Sequence, residues 1–255
     1  MGWWVPQVSP VLRDLGIPDL SDLPPIYNGC LPASSILEFS DDVVDPKIKG
    51  FLHVPEIPNQ DGLVLTHGAG GNAQAPLLRA LADAFSANGC TVLRCDLPFR
   101  QTRSFGPPGP GDAARDRAGL KNAVARLHKM ATGRIFLAGH SYGGRQSSML
   151  CAEEPDLADG LLLLSYPLHP PRRPEQQRTQ HLPDLRTPTL FVHGTSDPFG
   201  TIAELERALK MIPAKTKLVT IEGAAHDLGF KGKARKEELP KRIVDEFQIF
   251  IGVNP

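Results

Sequence analysis

The chain has 255 residues, a length that suits one α/β domain with a well-buried core better than two. Its 28 basic and 28 acidic side chains cancel, so nothing in the net charge favours nucleic acid or an anionic membrane as a partner. The sequence contains no run of about twenty apolar residues and no export signal. We therefore expect a cytoplasmic protein that contacts neither membrane nor nucleic acid.

The first part of the chain is rich in proline and shows no sustained period. This composition indicates an extension, residues 1–35, that lies against a domain formed by residues 36–255. We expect the Trp3 and Trp4 pair to anchor the extension rather than to bind a ligand. The four cysteines are Cys30, Cys90, Cys95 and Cys151. Their spacing fits neither a zinc site nor a redox pair, so they are predicted to be buried free thiols, and we expect no metal ion or cofactor.

From about residue 36, short apolar runs alternate with stretches in which apolar side chains recur every three or four residues. The runs predict strands at Ile36–Phe39, Ile48–Val54, Leu63–Thr66, Thr91–Arg94, Ile135–Ala138, Leu161–Ser165, Thr189–Val192 and Leu218–Ile221. The periodic stretches predict helices at Ala75–Ala87, Ala113–Met130, Gly144–Glu153, Ala203–Met211 and Leu239–Ile251. Continuous apolar runs suit strands buried on both faces, which predicts an α/β fold with a doubly wound, mostly parallel sheet of about eight strands.

Two long loops interrupt this alternation, at residues 96–112 and 167–188. Both follow predicted strands, so we expect them to line or cover a pocket at the carboxyl edge of the sheet. The first contains Arg100, and the second contains His169 and several arginines. Two interpretations stay open: these side chains are merely solvated, or they form a basic rim that favours a carboxylate- or phosphate-bearing substrate.

The sequence Gly139-His140-Ser141-Tyr142-Gly143 follows an apolar strand and precedes a predicted helix. A Gly-x-Ser-x-Gly elbow between strand and helix holds its serine out as a nucleophile, and the crowded turn favours glycine on both sides. The pattern alone arises readily by chance, so other residues must support it. We expect the side chain of His140 to point back toward the sheet.

A serine hydroxyl needs a base to take its proton, and the base needs a third group to orient it. Asp197 and His226 each follow a predicted strand downstream of Ser141, which brings all three to one edge of the sheet in the order Ser, Asp, His. Asp227 is the rival acid, but as the neighbour of His226 it should point elsewhere. The predicted catalytic residues are therefore Ser141, Asp197 and His226.

The oxyanion of such a reaction needs preorganised N–H donors. One predicted donor is the backbone of Tyr142, at the start of the helix after the nucleophile. The other is Ala69, with Gly70 as the next choice, in a glycine-rich loop that lacks the known phosphate-binding patterns. Arg145 lies in the first turn of the same helix, where a cation is unfavourable, so we expect it to face a carboxylate of the protein or of the substrate.

Three segments carry a resemblance to a known family: Leu-Thr-His-Gly-Ala-Gly-Gly at 65–71, the elbow with Arg145 at 139–145, and Ser-Tyr-Pro-Leu-His-Pro at 165–170. Together they resemble the α/β-hydrolase superfamily. More narrowly, they resemble the dienelactone-hydrolase-like branch that includes eukaryotic testis-expressed proteins and a subunit of the NSL chromatin complex. The resemblance implies a serine-hydrolase fold with a minimal cap. Dienelactone hydrolases have Cys at the elbow where this chain has Ser141, so their lactone specificity is not implied.

These observations predict a serine hydrolase that acts on small carboxylic esters or thioesters through an acyl-enzyme intermediate. Substrate contacts are predicted at Gly70, Arg100, Arg145 and His169. The alternative is a noncatalytic module that keeps the fold and binds a protein partner through its loops. The sequence does not determine an oligomeric state.

Overall fold

The computed structural model describes residues 35–230 and 238–252. The predicted extension of residues 1–35, with Trp3, Trp4 and Cys30, therefore falls outside the described residues except for its last position. Within the described ranges, none of the helices has the length and apolar character needed to cross a membrane.

Eight strands form one sheet. They are Ser35–Asp41 (β1), Ile48–Val54 (β2), Gly62–Thr66 (β3), Thr91–Cys95 (β4), Ile135–His140 (β5), Gly160–Leu164 (β6), Thr189–Gly194 (β7) and Thr216–Ile221 (β8). Their order across the sheet is β1-β2-β4-β3-β5-β6-β7-β8. Strand β2 is antiparallel to both of its neighbours, and all other pairs are parallel. The predicted doubly wound, mostly parallel sheet is confirmed.

Helices cover both faces of the sheet. They are Pro76–Ala87 (α1), Pro98–Thr102 (α2), Asp112–Leu127 (α3), Tyr142–Glu153 (α4), Ile202–Leu209 (α5) and Glu238–Phe250 (α6). Leu81 of α1 and Phe247 of α6 belong to one apolar layer, whereas Leu120 of α3, Leu150 of α4 and Leu205 of α5 belong to the other. Strands β3, β5, β6 and β7 lie between these layers, which explains their continuous apolar runs.

The prediction that residues 96–112 form a loop is wrong for α2, which occupies Pro98–Thr102. This helix is too short to show a helical repeat, and its first residue is a proline that reads as a break in the sequence although it suits the first helical position. A distant side chain supports the helix start, because the N–H of Phe99 donates to Asp116 Oδ1 at 3.0 Å. The other predicted loop contains only a short 3-10 turn at Leu182–Asp184, so the described residues include no separate cap domain.

The strand order reverses beside β3, since the chain leaves β3 toward β4 on one side and later continues from β5 on the other. In open α/β sheets, ligands bind in the crevice at such a reversal, beyond the carboxyl ends of the strands. The connections that leave β3, β5, β7 and β8 therefore meet at one edge, and they carry the predicted catalytic residues and oxyanion donors.

Three of the predicted free thiols lie inside the described residues. Cys90, Cys95 and Cys151 are buried and unpaired, as predicted. Burial raises the pKa of the Cys95 and Cys151 thiols to about 12, so both are kept as neutral thiols.

Candidate active site

Ser141 lies at the tip of a sharp turn between β5 and α4, with φ of 51° and ψ of −116°. A non-glycine residue with this backbone is strained, and such strain persists only where the surrounding structure enforces it. The N–H of Ser141 donates to the carbonyl of Leu164 on the neighbouring strand at 2.8 Å. The turn therefore holds the serine at the carboxyl edge of the sheet, as expected for a nucleophile elbow.

Glycines allow this turn to pack against its surroundings. A Cβ at Gly144 would lie 2.6 Å from the carbonyl oxygen of Gly139, and one at Gly143 would clash with the carbonyl oxygen of His67 and lie 2.7 Å from Thr66 Cγ2. These neighbours are mostly backbone atoms that cannot move aside. The position of the elbow thus depends on the absence of side chains at its glycines.

The three predicted catalytic residues form one chain of hydrogen bonds. Ser141 Oγ lies 2.7 Å from His226 Nε2, and His226 Nδ1 lies 2.8 Å from Asp197 Oδ2. The carboxylate accepts hydrogen bonds only, so the His226 ring carries its proton on Nδ1 and offers Nε2 as the acceptor for the serine hydroxyl. The Asp197 side chain is fully buried, whereas that of His226 is 23 % exposed. This arrangement allows the imidazole to accept a proton from Ser141 while Asp197 stabilises the resulting charge.

Other contacts hold Asp197 in place. Its Oδ1 accepts the N–H of Phe199 at 2.9 Å, and its own N–H donates to Gly194. His193 Nε2 lies 2.9 Å from the carbonyl of Gly200 and thus braces the loop that carries Asp197.

The rival acid, Asp227, takes part in a local hydrogen bond. Asp227 Oδ1 accepts the N–H of Gly229 at 3.1 Å and forms the local turn that follows His226. Asp227 contributes to the cavity wall, but Asp197 is the acid bonded to His226 Nδ1.

The prediction that His140 points back toward the sheet is wrong. Its ring lines the cavity and lies 5.3 Å from the His226 ring, and its Nε2 lies 2.9 Å from the carbonyl of His226. Burial lowers the pKa of His140 to about 4, so the ring is neutral near pH 7 and donates its Nε2 proton to that carbonyl. Phe199 packs on the other side of His226, with the ring centres 4.1 Å apart. His140 and Phe199 together restrict the movement of the His226 ring.

Tyr142 and Ala69, the predicted oxyanion donors, belong to different elements, and of the two it is Ala69 that lines the cavity. Tyr142 is the first residue of α4, and its N–H has no acceptor among the described residues. Ala69 and Gly70 line the cavity, and their N–H groups likewise find no acceptor in the described part of the chain. Unpaired N–H groups at a cavity beside a nucleophile are suited to binding a developing negative charge.

Hydrogen bonds with residues 94–97 hold the glycine-rich loop, residues 67–73, in place. The N–H of Leu97 donates to His67 Nε2 at 3.1 Å, so the His67 proton is on Nδ1 and bonds the carbonyl of Gly68 at 2.8 Å. Burial lowers the pKa of His67, which keeps this ring neutral. At the other end of the loop, Asp96 Oδ1 accepts the N–H of Ala73 at 2.6 Å, and Arg94 donates to the carbonyl of Ala73.

A cavity of about 670 Å³ opens above Ser141. Most of its wall is apolar and comes from α1, from the loops after β3 and β8, and from Phe199. The apolar and aromatic lining residues are Ala69, Ala75, Pro76, Leu77, Leu78, Phe199, Ala225 and Phe230. Neither of the two long loops at 96–112 and 167–188 contributes to it, contrary to the prediction.

The basic rim, one of the two interpretations left open by the sequence, is absent from the described part of the cavity wall, which contains no lysine or arginine. Arg100 is buried behind the loop and bonds backbone carbonyls. His169 bonds the carbonyl of Pro170 and lies 3.5 Å from Glu204 Oε2. Of the four predicted substrate contacts, only Gly70 lines the cavity.

Arg145 also lies away from the cavity, and no carboxylate of the described residues forms an ion pair with it. It lies close to Tyr166 and His181. Burial, followed by the charge of Arg145, lowers the pKa of His181 to about 4. The predicted carboxylate partner within the protein is therefore not found in this part of the chain.

The sequence analysis did not predict that the side chains of His140, Phe199 and Phe230 lie in the cavity wall. For His140 and Phe199, proximity to the predicted nucleophile and acid was the available signal. Phe230 follows His226 closely, but nothing in the local pattern shows on which side of the loop its ring lies.

Comparison with known proteins identifies the family of this chain. Residues 59–251 match the family model described as the alpha/beta hydrolase domain, and the chain belongs to that family. Its structure is similar to that of a dienelactone hydrolase from Anabaena variabilis, with a TM-score of 0.66, 23% identity, and coverage of 85% of this chain and 97% of that one.

Two further solved structures have the same fold. One is an α/β serine hydrolase without a lid from Xanthomonas campestris, with a TM-score of 0.66 and 17% identity. The match covers 89% of this chain and 100% of that one. The other is Est1E from Butyrivibrio proteoclasticus, with a TM-score of 0.63 and 18% identity. The match covers 85% of this chain and 98% of that one. The expected α/β-hydrolase assignment is confirmed by the family model, and the likeness to these solved structures, the dienelactone hydrolase among them, shows a shared fold.

Proposed function

We propose that this protein is a serine hydrolase of small carboxylic esters or thioesters. The observation that carries the proposal is the hydrogen-bonded chain from Ser141 through His226 to Asp197 at the base of an apolar cavity. A noncatalytic binding module would have no need to keep a strained serine within bonding distance of an oriented imidazole.

In the proposed reaction, Ser141 Oγ attacks the substrate carbonyl carbon while its proton moves to His226 Nε2. Asp197 stabilises the imidazolium, and the N–H groups of Tyr142 and of Ala69 or Gly70 bind the oxyanion of the tetrahedral intermediate. The intermediate collapses as the bond to the leaving alcohol or thiol breaks, and His226 returns the proton to that group. Water then attacks the acyl-Ser141 ester and gives a proton to His226. The second tetrahedral intermediate collapses as the bond to Ser141 Oγ breaks, His226 returns the proton to that oxygen, and the carboxylic acid is released.

The wall of the cavity supports a neutral acyl group. Its described residues are mainly apolar, and Asp227 is the carboxylate among them. An anionic acyl chain would lose its hydration there without meeting a described arginine or lysine. We therefore expect a p-nitrophenyl butyrate to be hydrolysed faster than the corresponding glutarate monoester.

Labelling with a fluorophosphonate probe tests the proposal, because an activated serine displaces fluoride from the probe and becomes phosphonylated. We expect one adduct on Ser141, identified by mass spectrometry, and turnover of p-nitrophenyl butyrate by the unmodified protein. The Ser141→Ala variant should lose both the adduct and the turnover while its thermal unfolding midpoint stays that of the wild type. Ser196→Ala is the matched control, since Ser196 is exposed beside Asp197, and it should label like the wild type.

Folded wild-type protein that neither reacts with the probe nor hydrolyses p-nitrophenyl butyrate or the glutarate monoester would overturn the proposal and favour the noncatalytic alternative. Equal labelling of Ser141→Ala and wild type would show that another residue reacts.

A further inference from the structure

Arg100 is a buried cation whose hydrogen bonds all go to backbone carbonyls. It lies in α2 and is 7 % exposed. Its Nη2 donates to Ala69 and Gly106 at 2.8 Å each, and its Nη1 donates to Arg103 at 3.1 Å. The guanidinium lies over the Phe99 ring, 4.9 Å from the ring centre. No carboxylate among the described residues forms an ion pair with it.

Burying a cation without a carboxylate is costly, so a buried arginine needs strong acceptors. Here the acceptors include the carbonyl of Ala69 in the glycine-rich loop beside the nucleophile. This contact joins α2 to the loop across 31 residues of sequence. It is therefore part of the site and not only of the local packing of α2.

The peptide bond makes this contact relevant to the oxyanion. The carbonyl of Ala69 and the N–H of Gly70 belong to one planar trans peptide, so they point in opposite directions. Arg100 lies outside the cavity wall, whereas Ala69 and Gly70 line it. Holding the oxygen toward Arg100 therefore keeps it away from the cavity and turns the N–H of Gly70 toward it. Rotation of this peptide would present a carbonyl oxygen where negative charge develops.

The charge of Arg100 also acts through this peptide. A cation bonded to a carbonyl oxygen polarises the amide and makes its N–H a stronger donor, as in other chains of hydrogen bonds at low dielectric. The neutral His67 bonds the preceding carbonyl, that of Gly68. Among the described residues, Arg100 is therefore the charged side chain that bonds the peptide between Ala69 and Gly70, through the carbonyl oxygen of Ala69.

The rest of the loop has its own anchors. His67 holds one end, and Asp96 and Arg94 hold Ala73 at the other. Loss of Arg100 is therefore expected to free the peptide between Ala69 and Gly70 while the loop keeps its ends in place.

We propose that Arg100 is a positioning residue for the oxyanion site: it holds the Ala69–Gly70 peptide with its N–H toward the cavity and strengthens that N–H through its charge. This role rests on the proposed serine-hydrolase function. Because the oxyanion exists only after attack on the carbonyl, the effect of Arg100 falls on kcat and not on KM.

The test compares variants of Arg100 with a matched variant of Arg103. Arg103 directly follows α2, and its exposed side chain pairs with Asp112, whereas the side chain that bonds the carbonyl of Ala69 is that of Arg100. For p-nitrophenyl butyrate we expect Arg100→Ala to lower kcat about 10- to 100-fold, below the full loss of an oxyanion donor, with KM within about threefold. Arg100→Lys keeps the charge and should lose less than Arg100→Gln. Arg103→Ala should stay within about twofold of wild type.

Two further readouts separate positioning from general damage. Added guanidinium ion should restore part of the kcat of Arg100→Ala and leave Arg103→Ala unchanged. An alkyl boronic acid, which forms a tetrahedral anion on Ser141, should bind Arg100→Ala more weakly by about the same factor as the fall in kcat. If Arg100→Ala does not fold, Arg100→Lys and Arg100→Gln carry the comparison.

Folded Arg100 variants that keep wild-type kcat, that lose no more than Arg103→Ala, or that change KM alone would overturn this role while leaving the serine hydrolase in place. A wild type that neither labels nor turns over substrate would instead overturn the proposed function, and this role with it.

Discussion

The nucleophile elbow at residues 139–144 and the glycine-rich loop at residues 67–73 meet beside the cavity, and different kinds of contact hold them. The elbow is held by its own backbone, packed so closely that its glycines cannot carry side chains. The loop is held by side chains that reach it from β4, from the residue that follows β4 and from α2, namely Arg94, Asp96 and Arg100. A local motif can specify the first kind of contact, whereas the second kind depends on distant residues.

This comparison predicts that the elbow tolerates less change than the loop. Gly143→Ala should have the largest effect, because its Cβ would clash with the backbone of His67, where the two regions touch. We expect a loss of at least about 3 kcal/mol in the free energy of unfolding and little folded protein. Chemical denaturation provides the measurement.

The matched control for this substitution lies in the loop. A Cβ at Gly70 would have no neighbour within 4 Å, so Gly70→Ala should change the free energy of unfolding by no more than about 1 kcal/mol. If the two variants were equally stable, close packing would not be what holds the elbow.

The second prediction concerns chemistry on the elbow side of the cavity. Asp197→Asn should lower kcat/KM for a p-nitrophenyl ester by about 10³- to 10⁴-fold, because an amide no longer stabilises the imidazolium or favours the Nδ1–H tautomer of His226. Asp227→Asn, which changes the acid that does not bond the ring, should lose less than about tenfold. Similar losses in both variants would reject Asp197 as the orienting acid.

The third and smallest effect depends on pH and concerns the link between the elbow and the His226 loop. Burial lowers the pKa of His140 to about 4 from an ordinary value of 6.5, although Asp197, Asp227 and the hydrogen bond to His226 favour the protonated form. The unfolded chain therefore binds a proton at higher pH than the folded one. The contribution of His140 to the free energy of unfolding is therefore fully present above pH 6.5 and is lost as the pH falls toward about 4. The loss amounts to at most about 3 kcal/mol.

Replacing the titrating ring isolates this contribution. His140→Gln keeps an amide donor but cannot titrate, so its free energy of unfolding should fall less steeply than that of the wild type between pH 6.5 and 4. Parallel pH profiles for the two proteins would show that His140 does not cause the acid sensitivity. Near pH 7 the His140 ring is neutral in both the folded and the unfolded chain, so its titration should contribute little to any difference in the free energy of unfolding between the two proteins.

Much of the fold was predictable from the sequence. Buried parallel strands appear as continuous apolar runs, and amphipathic helices as repeats of three and four residues, because burial of one face or of both selects side chains locally. The helix at Pro98–Thr102 escaped detection because it is shorter than two turns and its start depends on Asp116.

The candidate site divides in the same way. Ser141, Asp197 and His226 were identified as strand-end residues, and the structure brings their side chains into one hydrogen-bonded chain. The predicted substrate contacts at Arg100, Arg145 and His169 do not line the cavity, because position at a strand end says nothing about where a long side chain points.

By itself, the sequence determined the layered sheet, the elbow and the order of the candidate catalytic residues, since each of these follows from local periodicity or from the steric demands of one turn. Only the tertiary structure decided that His140 faces His226 and that Arg100 bonds the glycine-rich loop instead of lining the cavity. It also decided that the described part of the cavity wall is mostly apolar. These features depend on side chains from separate elements meeting in space. Their directions are set by packing across the whole domain and leave no periodic trace in the chain.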